Sequence, residues 1–148
     1  MTDHDLDRFV RAQGSGAYDT ALAELRDGRK RTHWVWFVFP QVEGLGSSPS
    51  ARMYAVSGLS EARAYLAHPV LGDRLRECAQ VLSALPSNDP EEVMGSGIDA
   101  VKLRSSMTLF ARAAESDADR DRFRGVLEKY FADTEDPATL ERLGVSGR

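Results

Sequence analysis

The sequence predicts an all-α or mainly α fold, a compact single domain of about six to eight helices covering residues 1–148. Apolar residues recur at spacings of three and four along most of the chain, which is typical of helices with one buried face. Asp, Ser, Pro and Gly stand where these patterns begin and end, as helix caps do. A length of 148 residues and a hydrophobic content of 42% suit one continuous core.

Two helices are predicted in the first 28 residues. The first follows a cap at Asp3 or Asp5 and ends at the glycine-serine break of residues 14–16. The second runs from residue 17 to residue 27 and ends at Gly28, because glycine readily adopts the left-handed conformation that terminates helices.

Residues 34–39, WVWFVF, have the aromatic and β-branched composition of a strand. A single strand cannot build a sheet, and the other segments have helical spacing. We therefore expect a centrally buried helix that Pro40 terminates, with Trp36 and residues 37–39 mostly in the core. The glycine-containing residues 41–50, QVEGLGSSPS, are expected to form a loop.

Prolines and acidic caps mark the shorter helices that follow. A helix after Ser60 ends near His68, because the next residue is a proline, and a further helix covers residues 70–85. Asp-Pro pairs at residues 89–90 and 136–137 begin two short helices, since Asp caps and Pro suits the first turn.

Two long helices complete the predicted fold. Asp99 is the expected cap of AVKLRSSMTLFARAAE at residues 100–115. The helix DRDRFRGVLEKYF at residues 119–131 directs Phe123 and Leu127 inward. Together with the earlier segments, these elements predict a compact multi-helical domain without internal repeats.

Composition excludes several classes of protein. The formal net charge of −4 and the isoelectric point near 5.4 argue against general nucleic-acid binding, which requires an excess of Lys and Arg. The acidic start MTDHDLDRF lacks the apolar core of a signal peptide, and the longest apolar run, residues 34–40, is too short to span a bilayer. We expect a cytoplasmic protein with no membrane partner.

The metal-binding residue types are sparse. The single cysteine, Cys78, has no disulfide partner and lies in a helical pattern as core filler. The three histidines, at positions 4, 33 and 68, do not have the spacing of metal ligands. The sequence therefore implies no metal site and no cofactor, and it leaves the oligomeric state open.

Three segments carry a family resemblance: WVWFVFPQVEGLG, HPVLGDRLRE and DAVKLRSSMTLFARA. On these segments the chain is identified as resembling domain-of-unknown-function family 1810, a bacterial and fungal family, from Phe9 almost to the C-terminus. One departure is VMG at residues 93–95, where the family has an aromatic residue before the glycine. The resemblance implies a compact multi-helical fold and no established activity.

A more distant similarity links the chain to the NADAR superfamily of helical proteins, which are associated with NAD and ADP-ribose and some of which remove ADP-ribose from guanine. Asp7, Phe9 and the Ala-Gln pair at residues 12–13 resemble its first motif, and HPVLGDRL at residues 68–75 resembles its middle. The Trp and Asn of its later motifs are absent here. The similarity implies an ADP-ribose-type ligand.

The cations Arg29, Lys30 and Arg31 precede the tryptophan segment and permit two interpretations. They can be solvated side chains near the negative end of the preceding helix. Alternatively, they can bind phosphate while Trp34 stacks on a base. His33 lies between these cations and the tryptophan segment, and it is either a general base or a hydrogen-bonded spacer.

Hydroxyl groups mark two further segments. The GLG of residues 44–46 lacks the third glycine and the preceding strand of a dinucleotide-binding loop, although Ser47 and Ser48 can donate to an anion. In the long helix, Ser105 and Ser106 interleave with apolar residues, which indicates either close helix packing or a polar pocket wall.

These patterns favour a domain that binds a nucleotide or ADP-ribose-like small molecule between the first helix, the tryptophan segment, its loop and the long helix. Phosphates would contact the cations, and the two glutamines would bind polar edges. The predicted ligand-binding residues are Gln13, Arg29, Lys30, His33, Trp34, Gln41, Ser47, Ser48, Lys102, Arg104, Ser105 and Ser106.

The corresponding enzymatic hypothesis is hydrolysis of an N-glycosidic ADP-ribose bond by direct attack of water on the anomeric carbon. Asp7 and Glu43 are the candidate catalytic carboxylates, and Asp99 is set aside because helix capping accounts for it. The alternative is a non-enzymatic protein-interaction or structural domain with no small-molecule site. That alternative places the whole of WVWFVF in the core.

Overall fold

A computed structural model describes residues 4–146. Ten helices lie in this range: α1 (Asp7–Gln13), α2 (Ala17–Arg26), α3 (Val35–Val38), α4 (Pro49–Met53), α5 (Leu59–Ala67), α6 (Leu71–Ala84), α7 (Pro90–Met94), α8 (Gly97–Ala113), α9 (Asp117–Phe131) and α10 (Pro137–Leu143). These residues contain no strand, only an isolated parallel bridge between Val42 and Val56. The all-α prediction is confirmed, with slightly more helices than expected. None of the ten is both long and apolar enough for a membrane crossing.

The helix α8 forms the centre of the core, and α3, α5, α7, α9 and α10 pack around it. Phe110 of α8 contacts Tyr65 of α5 and Phe123 of α9, with ring centroids 5.1 and 6.1 Å apart. All three aromatic side chains are fully buried. Because burial of large apolar side chains is the dominant stabilising contribution, α8 organises the helices around it.

The first two helices lie close to their predicted positions. α1 begins after Leu6 without any side-chain cap, so Asp5 does not cap it as predicted, and Asp3 lies outside the described residues. α2 ends at Arg26, and Gly28 follows with φ of +77°, a left-handed conformation suited to glycine.

The tryptophan segment is helical, as predicted, but short. α3 covers Val35–Val38 and ends before Pro40. Trp36 and Phe37 are only half-buried, which corrects the expectation that they lie mostly in the core. The following segment is not wholly a loop, because Pro49–Met53 form α4.

The predicted acidic caps of the two short helices are confirmed, whereas the prediction that Asp99 caps the long helix is wrong. Asp89 and Asp136 cap α7 and α10. α8 starts three residues earlier than predicted, with Ser96 as its cap, and the Ser96 hydroxyl oxygen accepts the backbone N–H of Asp99 at 3.1 Å. The Asp99 carboxylate is therefore left for other partners.

One carboxylate fixes the path of the chain from α2 to α3. Oε1 of Glu24 accepts the backbone N–H groups of Arg31 at 2.7 Å and Thr32 at 3.0 Å and the indole N–H of Trp34 at 2.9 Å. Oε2 accepts the Thr32 hydroxyl at 2.7 Å. Burial acts to raise the pKa of Glu24, but these hydrogen bonds outweigh it and lower the pKa to about 2.

Hydroxyl groups join α8 to α10. The Ser105 hydroxyl lies 2.7 Å from that of Thr139, which donates to Asp136 at 2.6 Å. The backbone N–H of Asp136 donates to the Thr108 hydroxyl at 2.9 Å. This buried network favours the close-packing interpretation of the serines in α8. The neighbouring Ser106 hydroxyl is buried and has no hydrogen-bond partner among residues 4–146.

Glu24→Gln is expected to destabilise the protein by about 2 kcal/mol at pH 7, because hydrogen bonds to a charged group are lost. The pKa is lower in the folded than in the unfolded state, so this stabilisation is present above about pH 4.5 and disappears as the pH falls towards 2. Urea unfolding of both proteins from pH 7 to pH 3 measures the difference. Glu128→Gln, at an exposed carboxylate of α9, is the control. A difference that does not change with pH would contradict this role.

Two adjacent serines of α8 are expected to respond oppositely to removal of the hydroxyl. Ser105→Ala loses the hydrogen bond to Thr139 and should cost about 1 kcal/mol. Ser106→Ala removes a hydroxyl that lacks a partner among the described residues and should leave stability unchanged or raise it. Urea denaturation compares the two variants, and equal losses of stability would refute the α8–α10 network.

Candidate functional site

Two lysines and one carboxylate form a cluster where the segment before α3 meets the start of α8. Nζ of Lys30 lies 2.8 Å from Oδ2 of Asp99, and Nζ of Lys102 lies 3.5 Å from Oδ1. Each ammonium also lies over an indole ring, 5.3 Å from the Trp34 centroid for Lys30 and 4.8 Å from the Trp36 centroid for Lys102. One carboxylate between two ammonium groups leaves the cluster with an excess of positive charge.

The two lysines differ in accessibility. The side chain of Lys30 is 5% exposed and that of Lys102 is 22% exposed. The backbone N–H of Lys30 donates to the Val93 carbonyl at 2.8 Å, and a Cβ on Gly95 would lie 2.6 Å from the Lys30 carbonyl oxygen. Lys30 is thus held inside the protein at the turn between α7 and α8. Lys102 is the cation of the cluster that a ligand can reach.

A groove of about 460 Å³ opens beside Lys102, between α3, α4 and the first turns of α8. Its polar and aromatic lining comprises Trp36, Gln41, Ser47, Ser48 and Lys102. The Ser48 hydroxyl oxygen accepts a backbone N–H at 3.1 Å as the cap of α4, which leaves its own proton free to donate. An ammonium, two hydroxyls, an amide and an aromatic ring suit an anion attached to a ring system.

The loop between α3 and α4 is held by backbone hydrogen bonds to Val56 and by close packing against α4. The Val56 N–H donates to the Gln41 carbonyl at 2.8 Å, and the Glu43 N–H donates to the Val56 carbonyl at 2.8 Å. A Cβ on Gly46 would lie 2.7 Å from the Cβ of Ala51, so glycine allows the loop to close against α4. These contacts hold one end of the loop against Val56 and the other against α4.

Two predicted ligand-binding residues are buried in the core, where each donates a hydrogen bond to another protein group. Gln13 is 2% exposed, and its amide donates to the Phe37 carbonyl at 2.7 Å. Trp34 is 2% exposed, with its indole N–H bound to Glu24. Neither side chain faces the groove, so Trp34 does not supply a stacking surface. Trp36, two residues further on, contributes the aromatic wall instead.

The two predicted catalytic carboxylates lie outside the lining of the groove. Asp7 is exposed and pairs with Arg11 at 2.5 Å within α1. Glu43 is exposed, and its backbone carbonyl accepts the Arg142 Nε–H at 3.0 Å. Asp99 is the carboxylate that contacts a lining residue. Across residues 4–146 no three His, Cys, Asp or Glu side chains are grouped as metal ligands would be.

The predicted site residues in the middle of α8 do not line the groove beside Lys102. Arg104 lines a larger groove, of about 790 Å³, and donates to the carbonyls of Thr134 at 3.1 Å and Glu135 at 2.9 Å. Ser105 and Ser106 are buried. The structure therefore does not bring these residues together with Lys102 in one pocket.

The remaining predicted residues divide between the groove and the open surface. Arg29 is exposed and does not line the groove, whereas Lys30 is buried behind it. His33 is exposed, with its ring 6.5 Å from that of Trp36. Of the predicted set, the groove brings together Gln41, Ser47, Ser48 and Lys102.

The sequence does not identify several residues that line the groove or contact its lining. Asp99 was assigned to capping, although Ser96 three residues before it forms the Ser-x-x-Asp spacing of a helix start. Trp36 was assigned to the core. The apolar lining residues Ile98 and Val101 carry no chemical motif, and only their exposed position on α8 identifies them.

Comparison with known proteins gives a family and a structural relative. The model of a family described as protein of unknown function (DUF1810) matches residues 3–143. The crystal structure of the conserved hypothetical protein Rv1873 from Mycobacterium tuberculosis is similar at 50% sequence identity and a TM-score of 0.88, covering 96% of this chain and 98% of that one. No curated protein matches the chain.

Asp99→Asn is expected to destabilise the protein by about 2–3 kcal/mol, because it leaves the buried Lys30 ammonium without its carboxylate. Adding Lys30→Met should recover part of the loss, since the uncompensated charge is removed. Urea unfolding measures these two variants and the wild type, with Asp121→Asn on the exposed surface of α9 as the control. If Asp99→Asn is as stable as this control, the cluster is not held together by the carboxylate.

Proposed function

This chain belongs to the DUF1810 family of proteins of unknown function, and we propose that it binds a phosphate-bearing ligand of the nucleotide or ADP-ribose type in the groove beside Lys102. The observation that carries the proposal is the position of the Lys102 ammonium, held over Trp36 and reachable from the groove. A phosphate there would gain a charge-assisted hydrogen bond, and the attached ring would lie in an open, partly apolar groove.

The cluster makes Lys102 available as a phosphate donor. An ammonium has three N–H donors, and the 3.5 Å contact with Asp99 engages one of them. Lys30 shares the Asp99 carboxylate from the buried side, so the negative charge beside Lys102 is partly neutralised. The result is a local positive potential on a protein whose net charge is −4. Ser47 and Ser48 add hydroxyl donors in the same groove.

Hydrolysis of an N-glycosidic ADP-ribose bond is the enzymatic form of this proposal. Asp7, Glu43 and Asp99 are all absent from the groove lining, but Asp99 contacts the lining residue Lys102, and we therefore assign to it the role of orienting water near a ligand bound there. Both of its oxygens contact ammonium groups, which suits charge stabilisation better than proton removal. The geometry thus supports binding more directly than catalysis.

Ligand binding is tested by thermal unfolding of the wild type and two cation variants with AMP, ADP-ribose and NAD at millimolar concentration. A ligand present at about 100 times its dissociation constant adds about 2.7 kcal/mol. For a domain of this size, that raises the melting temperature by several degrees. Lys102→Gln should abolish the rise, whereas Arg29→Gln, which removes an exposed cation outside the groove lining, should retain it.

Two outcomes would count against the groove. An equal rise in all three proteins would place the ligand elsewhere. No rise for any ligand with the wild type would favour the alternative of a non-enzymatic interaction or structural domain.

A further inference from the structure

Exposed apolar side chains concentrate on one wall of the groove. Among residues 4–146, three large hydrophobic side chains are strongly exposed, and two of them line the groove: Ile98, at 71%, and Val101, at 59%. The third, Met53 at 57%, lies at the end of α4 outside the lining. Single exposed apolar residues are normal on protein surfaces, but a pair on the wall of a groove marks a surface suited to an apolar partner.

The apolar pair lies within one turn of the reachable cation. Ile98 lies three residues before Val101 and four before Lys102 on α8, so it neighbours both, whereas Val101 and Lys102 are adjacent in sequence; all three line the groove. One turn rises by about 5.4 Å, so Ile98 and Lys102 are separated by about this distance along the helix axis, with Val101 nearer to Lys102. A ligand that uses both must carry its flat ring and its anionic group at a similarly short separation.

We propose that the groove recognises a nucleoside monophosphate unit, with the base lying on Ile98 and Val101 and the 5′-phosphate at Lys102. This inference rests on the proposed function and specifies which part of the ligand is bound and by what. In such a unit a single sugar separates the base from the phosphate, which matches the short separation on α8. ADP-ribose contains the same unit in its adenosine half. The Gln41 amide and the Ser47 hydroxyl are available for polar atoms of the unit.

The charge of the site favours this unit over ligands with longer phosphate chains. Lys102 is the lysine of the cluster that the groove exposes, and the carboxylate of Asp99 lies beside it. A nucleoside triphosphate brings several negative charges to this single reachable ammonium, so its additional phosphates gain little. Free phosphate or a sugar phosphate reaches Lys102 but leaves Ile98 and Val101 in water. Binding therefore depends on the ring as well as on the anion.

Isothermal titration calorimetry tests the apolar wall. AMP, ADP-ribose and ribose 5-phosphate are titrated into the wild type, the double variant Ile98→Ser/Val101→Ser and the control Met53→Ser. All three replaced side chains are exposed, so the variants keep the fold, which circular dichroism verifies. The double variant should bind AMP about tenfold more weakly, since the base no longer buries the apolar surface of Ile98 and Val101. Met53→Ser should bind AMP as the wild type does, and ribose 5-phosphate should bind weakly and equally to all three proteins.

The outcomes separate this inference from the proposed function. If AMP or ADP-ribose binds the wild type and the double variant equally well, while Lys102→Gln still loses binding, the base does not lie on Ile98 and Val101. The inference then fails and the phosphate-binding groove stands. If neither AMP nor ADP-ribose binds the wild type at millimolar concentration, both proposals fail.

Discussion

The hydrogen bonds accepted by Glu24 are the constraint on which the site depends. By binding two backbone N–H groups, one hydroxyl and one indole N–H, this carboxylate fixes the turn between α2 and α3. Trp34 is thereby held in the core, and Trp36, two residues later, lies at the groove. Lys30 enters the interior just before the residues that Glu24 binds, and there it meets Asp99. A single buried anion on α2 thus helps to hold Trp34 and Lys30 in the interior and leaves Trp36 at the groove.

The second organising contact is the Asp99 carboxylate between two lysines. Burying the Lys30 ammonium is costly unless it is paired, and Asp99 provides that pair. The same carboxylate contacts Lys102, so the partner of a structural lysine also positions the lysine that the groove exposes. The proposed ligand site therefore shares one side chain with the interactions that stabilise the fold. This arrangement lets a surface groove on an acidic protein expose a cation, as the proposed phosphate contact requires.

The fold was predictable from sequence because the signals that specify its helices, apolar spacing and capping residues, lie within each helix or at its ends. Periodic apolar residues and Asp-Pro starts indicated most of the helices, and the structure places α7 and α10 at their predicted caps, whereas α4 and the first turn of α8 were not predicted. The site was only partly predictable, because burial of a charged residue depends on distant elements. Lys30 and Lys102 look alike in sequence, yet one is buried against α7 and α8 and the other borders the groove. Likewise, Ser105 is explained by Thr139, 34 residues away, and not by a ligand.

The position of the ligand site is tested most directly by backbone NMR during titration of the ¹⁵N-labelled protein with AMP. Binding in the groove predicts that the largest changes in amide chemical shift occur at residues 45–48 and 98–102, which surround the ring and phosphate positions. Residues 133–145, beside the larger groove that Arg104 lines, should change little. Changes centred on residues 133–145, or none at millimolar AMP, would contradict the assignment of the site to Lys102 and its neighbours.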